Sequence, residues 1–162
     1  MDVNGRIRVS IENVDPEINE GKYPVKKTEG ESVSVEADIF ADGHDLLTAV
    51  LLYRHSQSKN WIEIPMCLLD NDRWRGEFTV EETGLYLYTL KAWVNHFQTW
   101  RQDLQEKLKA GHDVRVDLKI GAELIQEASK RAQEPDQNVL KQWAQTLKQT
   151  KSLPPLTKIR LD

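Results

Sequence analysis

The sequence predicts a mainly β protein with an α-helical appendage: an immunoglobulin-like antiparallel β-sandwich followed by an inserted helical hairpin or bundle. Three observations support this prediction. Apolar and polar residues alternate between residues 6 and 97, and beyond Phe97 the apolar residues recur at helical spacing. The segment from Glu82 to Tyr86 also has the pattern of a tyrosine corner. In that motif a glycine permits a sharp entry into a strand, and the tyrosine hydroxyl bonds back to the preceding loop.

The cysteine content indicates a sandwich without a disulfide. In antibody domains the residue two positions after the corner tyrosine is a cysteine, whereas here it is Tyr88. The single cysteine, Cys67, excludes an intrachain disulfide and is typical of a reducing compartment. Because Cys67 lies in a run that alternates like a strand, we interpret it as a small buried hydrophobic residue. Sandwiches of this kind usually bind, pair or position other groups, which argues against a self-contained enzyme.

The predicted β-sandwich occupies residues 1–97 and comprises roughly seven β-segments at the turn spacings typical of that fold. The alternation assigns Ile7, Val9 and Ile11 to one face of the first segment. The run at residues 46–53 is apolar enough for a central strand. The clearest segments cover residues 6–11, 32–40, 46–53, 61–69, 73–80 and 86–97.

A helical segment, part of an inserted bundle, is predicted for residues 98–151, and residues 152–162 form a tail or the start of a return to the sandwich. The first helix begins at a capping box, Thr99 to Gln102, and ends at Gly111. Residues 113–120 fit both a strand and a helix. Since the residues that follow are good helix formers, we favour a helix there that begins as late as Lys119. A last amphipathic helix follows Pro135.

Composition and charge exclude several classes of function. The formal net charge of −4 argues against a nucleic-acid partner, because such partners require clustered Lys and Arg. The amino terminus lacks the apolar core of a signal peptide, and no apolar run approaches the ~20 residues of a membrane span. We therefore expect a cytoplasmic protein with neither a nucleic-acid nor a membrane partner.

Residues with catalytic or metal-binding chemistry do not form a recognisable motif. The histidines show no metal-ligand spacing, and the sequence contains no GxSxG, GxGxxG or HExxH pattern. Acidic pairs such as Asp70 and Asp72 lie in predicted turns, whereas hydrolytic carboxylates need a shaped cleft. We predict no catalytic residue, no metal site and no cofactor.

The tryptophans in the predicted strands allow two interpretations. Exposed tryptophans on a β-sandwich can stack on sugars, since a flat apolar ring matches the C–H face of a pyranose. Large aromatic residues are more often buried, and we favour the core for Trp61, Trp74 and Trp93. If a sugar platform exists, its candidates are Trp61, which opens a strand, and Trp93, whose strand face is mixed.

The predicted helices carry more apolar surface than a hairpin can bury. Exposed apolar patches generally mark contacts, so we expect an intersubunit or interdomain interface on these helices. The interface candidates are Trp100, Leu104, Leu108, Trp143 and Leu147.

Several segments resemble the amino terminus of bacterial α-1,4-glucan:maltose-1-phosphate maltosyltransferases. The resemblance covers roughly residues 4 to 128 in conserved order, and beyond Ala132 only the helical character is similar. The matching segments are GRI at 5–7, IENVDPEI at 11–18, YPVK at 23–26, VEADIFADGHD at 35–45, NDRWRGEFTV at 71–80, KAWV at 91–94, TWRQDL at 99–104 and AGHD at 110–113.

The resemblance implies an architecture and a reaction. Members of this family belong to the α-amylase-like clan, with a catalytic (β/α)₈ barrel downstream of an amino-terminal sandwich into which a helical bundle is inserted. They are homodimers that transfer maltosyl units from maltose-1-phosphate to α-1,4-glucans with retention of configuration. The catalytic carboxylates lie in the barrel, and no position here matches their motifs. The implied partners are a second subunit and the downstream barrel of the same chain.

The resemblance leaves two hypotheses for function. The first is a non-catalytic assembly and dimerisation domain of the maltosyltransferase. The second is a glucan-binding module that uses exposed strand tryptophans, with α-glucan as its ligand. The sequence ends at Asp162 without the barrel, so we expect an excised fragment that lacks the last strand of the sandwich, and an open sheet edge would then invite pairing.

Overall fold

The computed structural model describes residues 9–150, and within them the chain forms seven strands followed by three helices. The strands are β1 (Val9–Asp15), β2 (Ser32–Ala41), β3 (Leu47–His55), β4 (Ile62–Pro65), β5 (Cys67–Asp70), β6 (Arg73–Thr79) and β7 (Tyr86–Val94). The helices are α1 (His96–Lys109), α2 (Arg115–Arg131) and α3 (Asp136–Gln149). No helix within this range is both long enough and apolar enough to cross a bilayer.

The strands form two antiparallel sheets, which confirms the predicted sandwich. One sheet has the order β1-β2-β6-β5 and the other the order β4-β3-β7. This is the immunoglobulin arrangement, in which strands A, B, E and D share one sheet. Here β1, β2, β6 and β5 occupy those four positions in that order. Within residues 9–150, β7 is a sheet edge with no strand beyond it. Ile7, assigned to the first strand, lies outside the described residues.

Alternation along the strands builds the sandwich core. In β2 every second residue from Val33 to Ile39 is buried, and in β3 Leu51 is fully buried opposite them. The stacked rings of Tyr53 and Phe78, with centroids 4.3 Å apart, extend the same core. Trp74 is buried as predicted, and its Nε1 donates to the Ile39 carbonyl over 3.2 Å.

The tyrosine corner predicted from the sequence is present. The backbone N–H of Glu82 donates to the Tyr86 hydroxyl over 3.2 Å, and Gly84 has a φ of +153°, a conformation that favours glycine. The Tyr88 hydroxyl, at the position of the antibody cysteine, donates to the Pro16 carbonyl. Burial raises the pKa of Tyr88, because ionisation would place a charge in apolar surroundings. The residue at the position of the antibody cysteine therefore bonds to the chain that follows β1.

The prediction of a single strand over residues 61–69 is wrong. Two short strands replace it: β4 pairs with β3, and β5 pairs with β6 of the other sheet. The chain crosses between the sheets at Met66, which is buried. Cys67 is paired with Arg75, which lies on the outer face of β6, so Cys67 is exposed and its interpretation as a buried hydrophobic residue is also wrong.

A charged cluster lies on the outer face of the four-stranded sheet. Arg73 donates to both Glu36 (3.0 Å) and Asp38 (3.1 Å). Hydrogen bonds from Arg75, which contributes most, and from Arg73 lower the pKa of Glu36 from its ordinary value of 4.5. Hydrogen bonds from Asn13 and then Arg73 lower the pKa of Asp38 from 3.8. The cluster links β1, β2 and β6 when its carboxylates are ionised.

These lowered pKa values predict a loss of stability in acid. A carboxyl whose pKa is lower in the folded than in the unfolded chain stabilises the fold above the unfolded value, and that contribution disappears as pH falls through the folded value. Glu36→Gln should therefore lower the melting temperature at pH 7, and the difference from the parent should shrink below about pH 4.5. Thermal unfolding followed by circular dichroism between pH 7 and pH 2 measures this. A difference that does not change with pH would contradict the prediction.

The helices form a compact unit of their own, separate from the sandwich unit that ends at Asn95. The strand predicted for residues 86–97 ends earlier, at Val94. Helix α1 begins at His96, so Phe97 is helical and the start predicted at Thr99 is wrong. Gly111 ends α1 as predicted, with a φ of +71° and its N–H bonded to the Leu108 carbonyl. The favoured helix after residue 113 is confirmed, and α2 begins at Arg115, four residues before the latest start that we expected.

Packing between the helices resolves the ambiguity of residues 113–120. Leu118 is fully buried and packs with Leu104 and Val114, which requires a helical rather than an alternating arrangement. The Trp100 ring packs on Gly121, where an added Cβ would lie 1.9 Å from the ring, and its Nε1 donates to the Asp117 carbonyl over 2.7 Å. Glycine at this position lets α1 and α2 approach closely.

Candidate functional site

The two candidate sugar-binding tryptophans share one face of the three-stranded sheet. Trp93 in β7 is paired with Thr48 of β3, and Arg54 at the other end of β3 lies over the Trp61 ring. Residues paired across antiparallel strands point to the same face, and Thr48 and Arg54 both alternate with the core residues of β3. Trp61 and Trp93 are 43% and 44% exposed, so the core interpretation is correct for Trp74 and wrong for these two.

The floor between the two indoles is apolar. Val50 and Leu52 of β3 point away from the sandwich core, yet only 4% and 8% of their surfaces are exposed. Val50 is paired with Lys91 of β7, and Leu52 with Glu63 of β4. The outer face of this sheet therefore has two exposed indoles at its ends, apolar residues along β3 between them, and charged residues on the strands to either side. We call it the β3 strip, defined by Trp61, Arg54, Leu52, Val50, Thr48 and Trp93.

Arg54 holds Trp61 at one end of the β3 strip. The guanidinium carbon lies 5.0 Å from the centroid of the Trp61 ring, within the range of a cation–π contact. Its Nη1 donates to the carbonyls of Ser56 (3.3 Å) and Ser58 (2.5 Å) in the loop before β4. The loop thus fixes the arginine, and the arginine covers one part of the indole while much of the ring stays in contact with solvent.

The interface candidates on the helices separate into buried and exposed residues. Leu104 is buried, and Trp100, Leu108 and Leu147 pack against the same cluster inside the helical unit. Trp143 in α3 is 57% exposed. Of the five candidates, Trp143 is therefore the residue whose apolar surface is available for a contact.

The structure shows two exposed apolar rows on the helices. The interface candidates from the sequence included one residue of the first row, Trp143, and no residue of the second. Val139 lies one turn before Trp143 and is also exposed, which makes a row on α3 that we call the α3 row. Val116 and Ile120 form a similar row on α2, and Val116 is 68% exposed. Their i, i+4 spacing was visible in the sequence. Without the observed burial of Leu118, however, the alternation of this segment concealed which face is exposed.

A groove runs along the open side of the sandwich. It has a volume of about 1100 Å³ and lies between the edge strand β7 and the chain that follows β1. Its lining is largely apolar and includes Val14, Ile18, Tyr23, Leu87 and Tyr88. One edge of β7 is paired with β3, and the other edge borders this groove. Within residues 9–150 no strand pairs with that second edge.

The fold and its surfaces define an immunoglobulin-like β-sandwich domain extended by a helical unit, with aromatic residues exposed on both parts. The sequence profile of the family described as alpha-1,4-glucan:maltose-1-phosphate maltosyltransferase, domain N/S, matches residues 7–161. The chain belongs to this family. The match confirms the resemblance inferred from the sequence and extends it through the last helix.

The chain is similar to part of several longer proteins, each named alpha-1,4-glucan:maltose-1-phosphate maltosyltransferase. It is 47% identical over 137 residues to the protein from Chlorobaculum tepidum, which covers 85% of this chain and 20% of the relative. It is 43% identical over 152 residues to the protein from Myxococcus xanthus, covering 89% of this chain and 23% of the relative. The relative from Methylacidiphilum infernorum is 36% identical over 150 residues, which is 91% of this chain and 22% of that protein. The chain thus spans about a fifth of the length of these relatives.

Proposed function

We propose that the chain is a non-catalytic assembly and dimerisation domain of an enzyme that transfers maltosyl units from maltose-1-phosphate to α-1,4-glucans. The observation that supports the proposal is the α3 row, where Trp143 presents most of its surface to solvent next to Val139. The names of the relatives supply the reaction. In this proposal the rest of the longer protein, including a catalytic barrel, performs the chemistry in the cytoplasm.

The chemistry of the α3 row suits a contact between subunits. Tryptophan is enriched in interfaces and among the residues that contribute most to binding. An exposed indole beside an aliphatic residue loses apolar surface to water when a second subunit covers it, and that burial favours association.

Replacement of Trp143 tests the dimerisation proposal. We expect the chain to sediment as a dimer at micromolar concentration, and Trp143→Ala to raise the dimer dissociation constant about 30-fold. Loss of a central interface tryptophan typically costs about 2 kcal/mol or more. Sedimentation velocity over a dilution series measures the constant. Because Trp143 is exposed, the variant should keep the far-ultraviolet circular dichroism of the parent.

The matched control is Gln142→Ala, an exposed residue on another side of the same helix, which should leave the dissociation constant unchanged. Val139→Ala should weaken the dimer less than Trp143→Ala, since it removes less apolar surface. A monomeric parent, or equal dissociation constants for the parent and Trp143→Ala, would refute a contact through the α3 row.

A second candidate function is glucan binding, and the arrangement of Trp61 and Trp93 on one sheet face favours it. Indole rings offer a flat apolar surface that matches the C–H face of a glucose ring. Titration with maltoheptaose, followed by heteronuclear NMR, tests this candidate. Localised shifts at the two indole N–H groups would support it, and unchanged spectra up to millimolar sugar would refute it.

A further inference from the structure

We propose that the β3 strip is one elongated saccharide site whose two ends are Trp61 and Trp93, and that Arg54 is the residue that positions Trp61. The ligand class is a linear glucan segment of several rings rather than a mono- or disaccharide. This inference rests on the glucan-binding candidate above and specifies its ligand length, its two platforms and its positioning residue.

The separation of the two indoles determines the length of the ligand. Trp93 is paired with Thr48 of β3, and Trp61 lies beside Arg54 of the same strand. Thr48 and Arg54 are six residues apart along β3. At ~3.3 Å per residue this is roughly 20 Å along the strand. The two tryptophans also lie on opposite sides of β3, which adds roughly 10 Å across the sheet. One or two sugar rings cannot contact both indoles, whereas a longer segment can.

The surface between the indoles has the mixed chemistry that a glucan requires. The two indoles supply the apolar surface for the C–H faces of the rings, since Val50 and Leu52 between them are only 4% and 8% exposed. Glu63 and Lys91, on the strands to either side, are exposed and supply an acceptor and donors for hydroxyl groups. A few placed polar groups over an apolar base are the usual composition of a small-molecule site. Both charges are present, so the surface favours a neutral polar ligand over an ionic one.

Arg54 contributes to ligand binding indirectly, by holding the ring of Trp61 in place. Its guanidinium is bonded to two loop carbonyls and lies over the indole, so the ring is held in one orientation before a ligand arrives. A platform that is already oriented loses less side-chain entropy on binding. Lysine at position 54 would keep the positive charge but would lose the planar group that stacks on the ring.

The experiment compares the affinities of maltotriose and maltoheptaose by NMR titration of the chain. The parent should bind maltoheptaose at least about tenfold more tightly than maltotriose, because the second platform is then engaged within the same complex. Maltoheptaose should shift the indole N–H signals of both Trp61 and Trp93. Trp61→Ala and Trp93→Ala should each lower maltoheptaose affinity about tenfold, to near that of maltotriose. Phe40→Ala, an exposed aromatic residue of the other sheet, is the control and should change neither affinity.

The outcomes separate this inference from the candidate on which it rests. Equal affinities for the two sugars, or shifts at a single indole, would overturn the two-ended site while glucan binding itself stands. Absence of binding by both sugars would overturn glucan binding and the inference together. Loss of maltoheptaose affinity in each tryptophan variant, with the control unchanged, would support the elongated site.

Arg54→Lys tests the positioning role separately. We expect a several-fold loss of maltoheptaose affinity and a moved Trp61 indole N–H signal in the sugar-free protein, while the Trp93 signal stays in place. A merely structural role would change the urea midpoint of unfolding without this selective shift, so the midpoint is measured alongside. Parent-like maltoheptaose affinity in Arg54→Lys would overturn the positioning role.

Discussion

Gly121→Ala is expected to destabilise the helical unit, although alanine is the better helix former. In a helix interior, alanine is usually favoured over glycine by about 1 kcal/mol. Here the added Cβ would lie 1.9 Å from Cζ2 and 2.3 Å from Cε2 of Trp100, and no real contact is that short. The ring is held by the hydrogen bond from its Nε1 to the Asp117 carbonyl and by packing against Phe97. Overpacking of this kind costs typically 1–3 kcal/mol, so we expect a net loss of about 1–2 kcal/mol after the gain in helix propensity.

Urea unfolding followed at the helical circular dichroism signal measures this loss. Glu123→Ala, an exposed change on the same helix, is the control and should shift the midpoint little. Trp100→Phe removes both the bulk and the hydrogen bond, so it should destabilise the parent but cost less in the Gly121→Ala background. That favourable coupling between neighbouring residues would assign the effect to the ring. A Gly121→Ala chain that is as stable as the parent would show that α1 and α2 do not pack through this glycine.

The helical unit shows why sequence patterns could predict the helices but not all their boundaries. The glycine that ends a helix is a local signal, and Gly111 could be assigned correctly from the sequence, whereas the capping-box pattern at Thr99 did not mark the start of α1. Residues 113–120 satisfied two periods at once, and the burial of Leu118 against Leu104 decided between them. Tertiary packing selected the helix, and one sequence contains no direct record of that packing.

The sandwich shows a similar limit. Strand existence followed from alternation, because every second residue of β2 enters the core. The crossing at Met66 could not be predicted, since a strand that changes sheets reads as continuous apolar sequence. Cys67 was assigned to the wrong face, because the alternation alone did not show which of the strand's two faces meets the core.

Candidate surfaces were harder to predict than the fold. Trp61, Trp74 and Trp93 all lie in or next to strands, but only Trp74 is buried. The sequence could not distinguish the three, because the face of a tryptophan depends on strand register across the sheet. On the helices, Trp100 and Trp143 both lie on apolar stripes, but only Trp100 has a glycine opposite it on which its ring can pack.

Gly84→Ala is expected to destabilise the sandwich through the tyrosine corner. The φ of +153° at this residue is strained for any side chain, and such strain costs about 1–3 kcal/mol. The added Cβ would also lie 2.1 Å from Nε2 of His55, whose ring packs edge-on against Tyr86 at 5.2 Å. Displacing that ring disturbs the residue whose hydroxyl accepts the N–H of Glu82. We expect a total loss of about 3 kcal/mol.

Two comparison variants divide this loss into its causes, each measured by urea unfolding. Tyr86→Phe removes the corner hydrogen bond alone and should cost about 1 kcal/mol, less than Gly84→Ala. His55→Ala should relieve the steric part in the double variant with Gly84→Ala, so that only the backbone strain remains. If Gly84→Ala costs no more than Tyr86→Phe, the glycine is not required by its conformation. The sharp entry into β7 would then depend on the tyrosine alone.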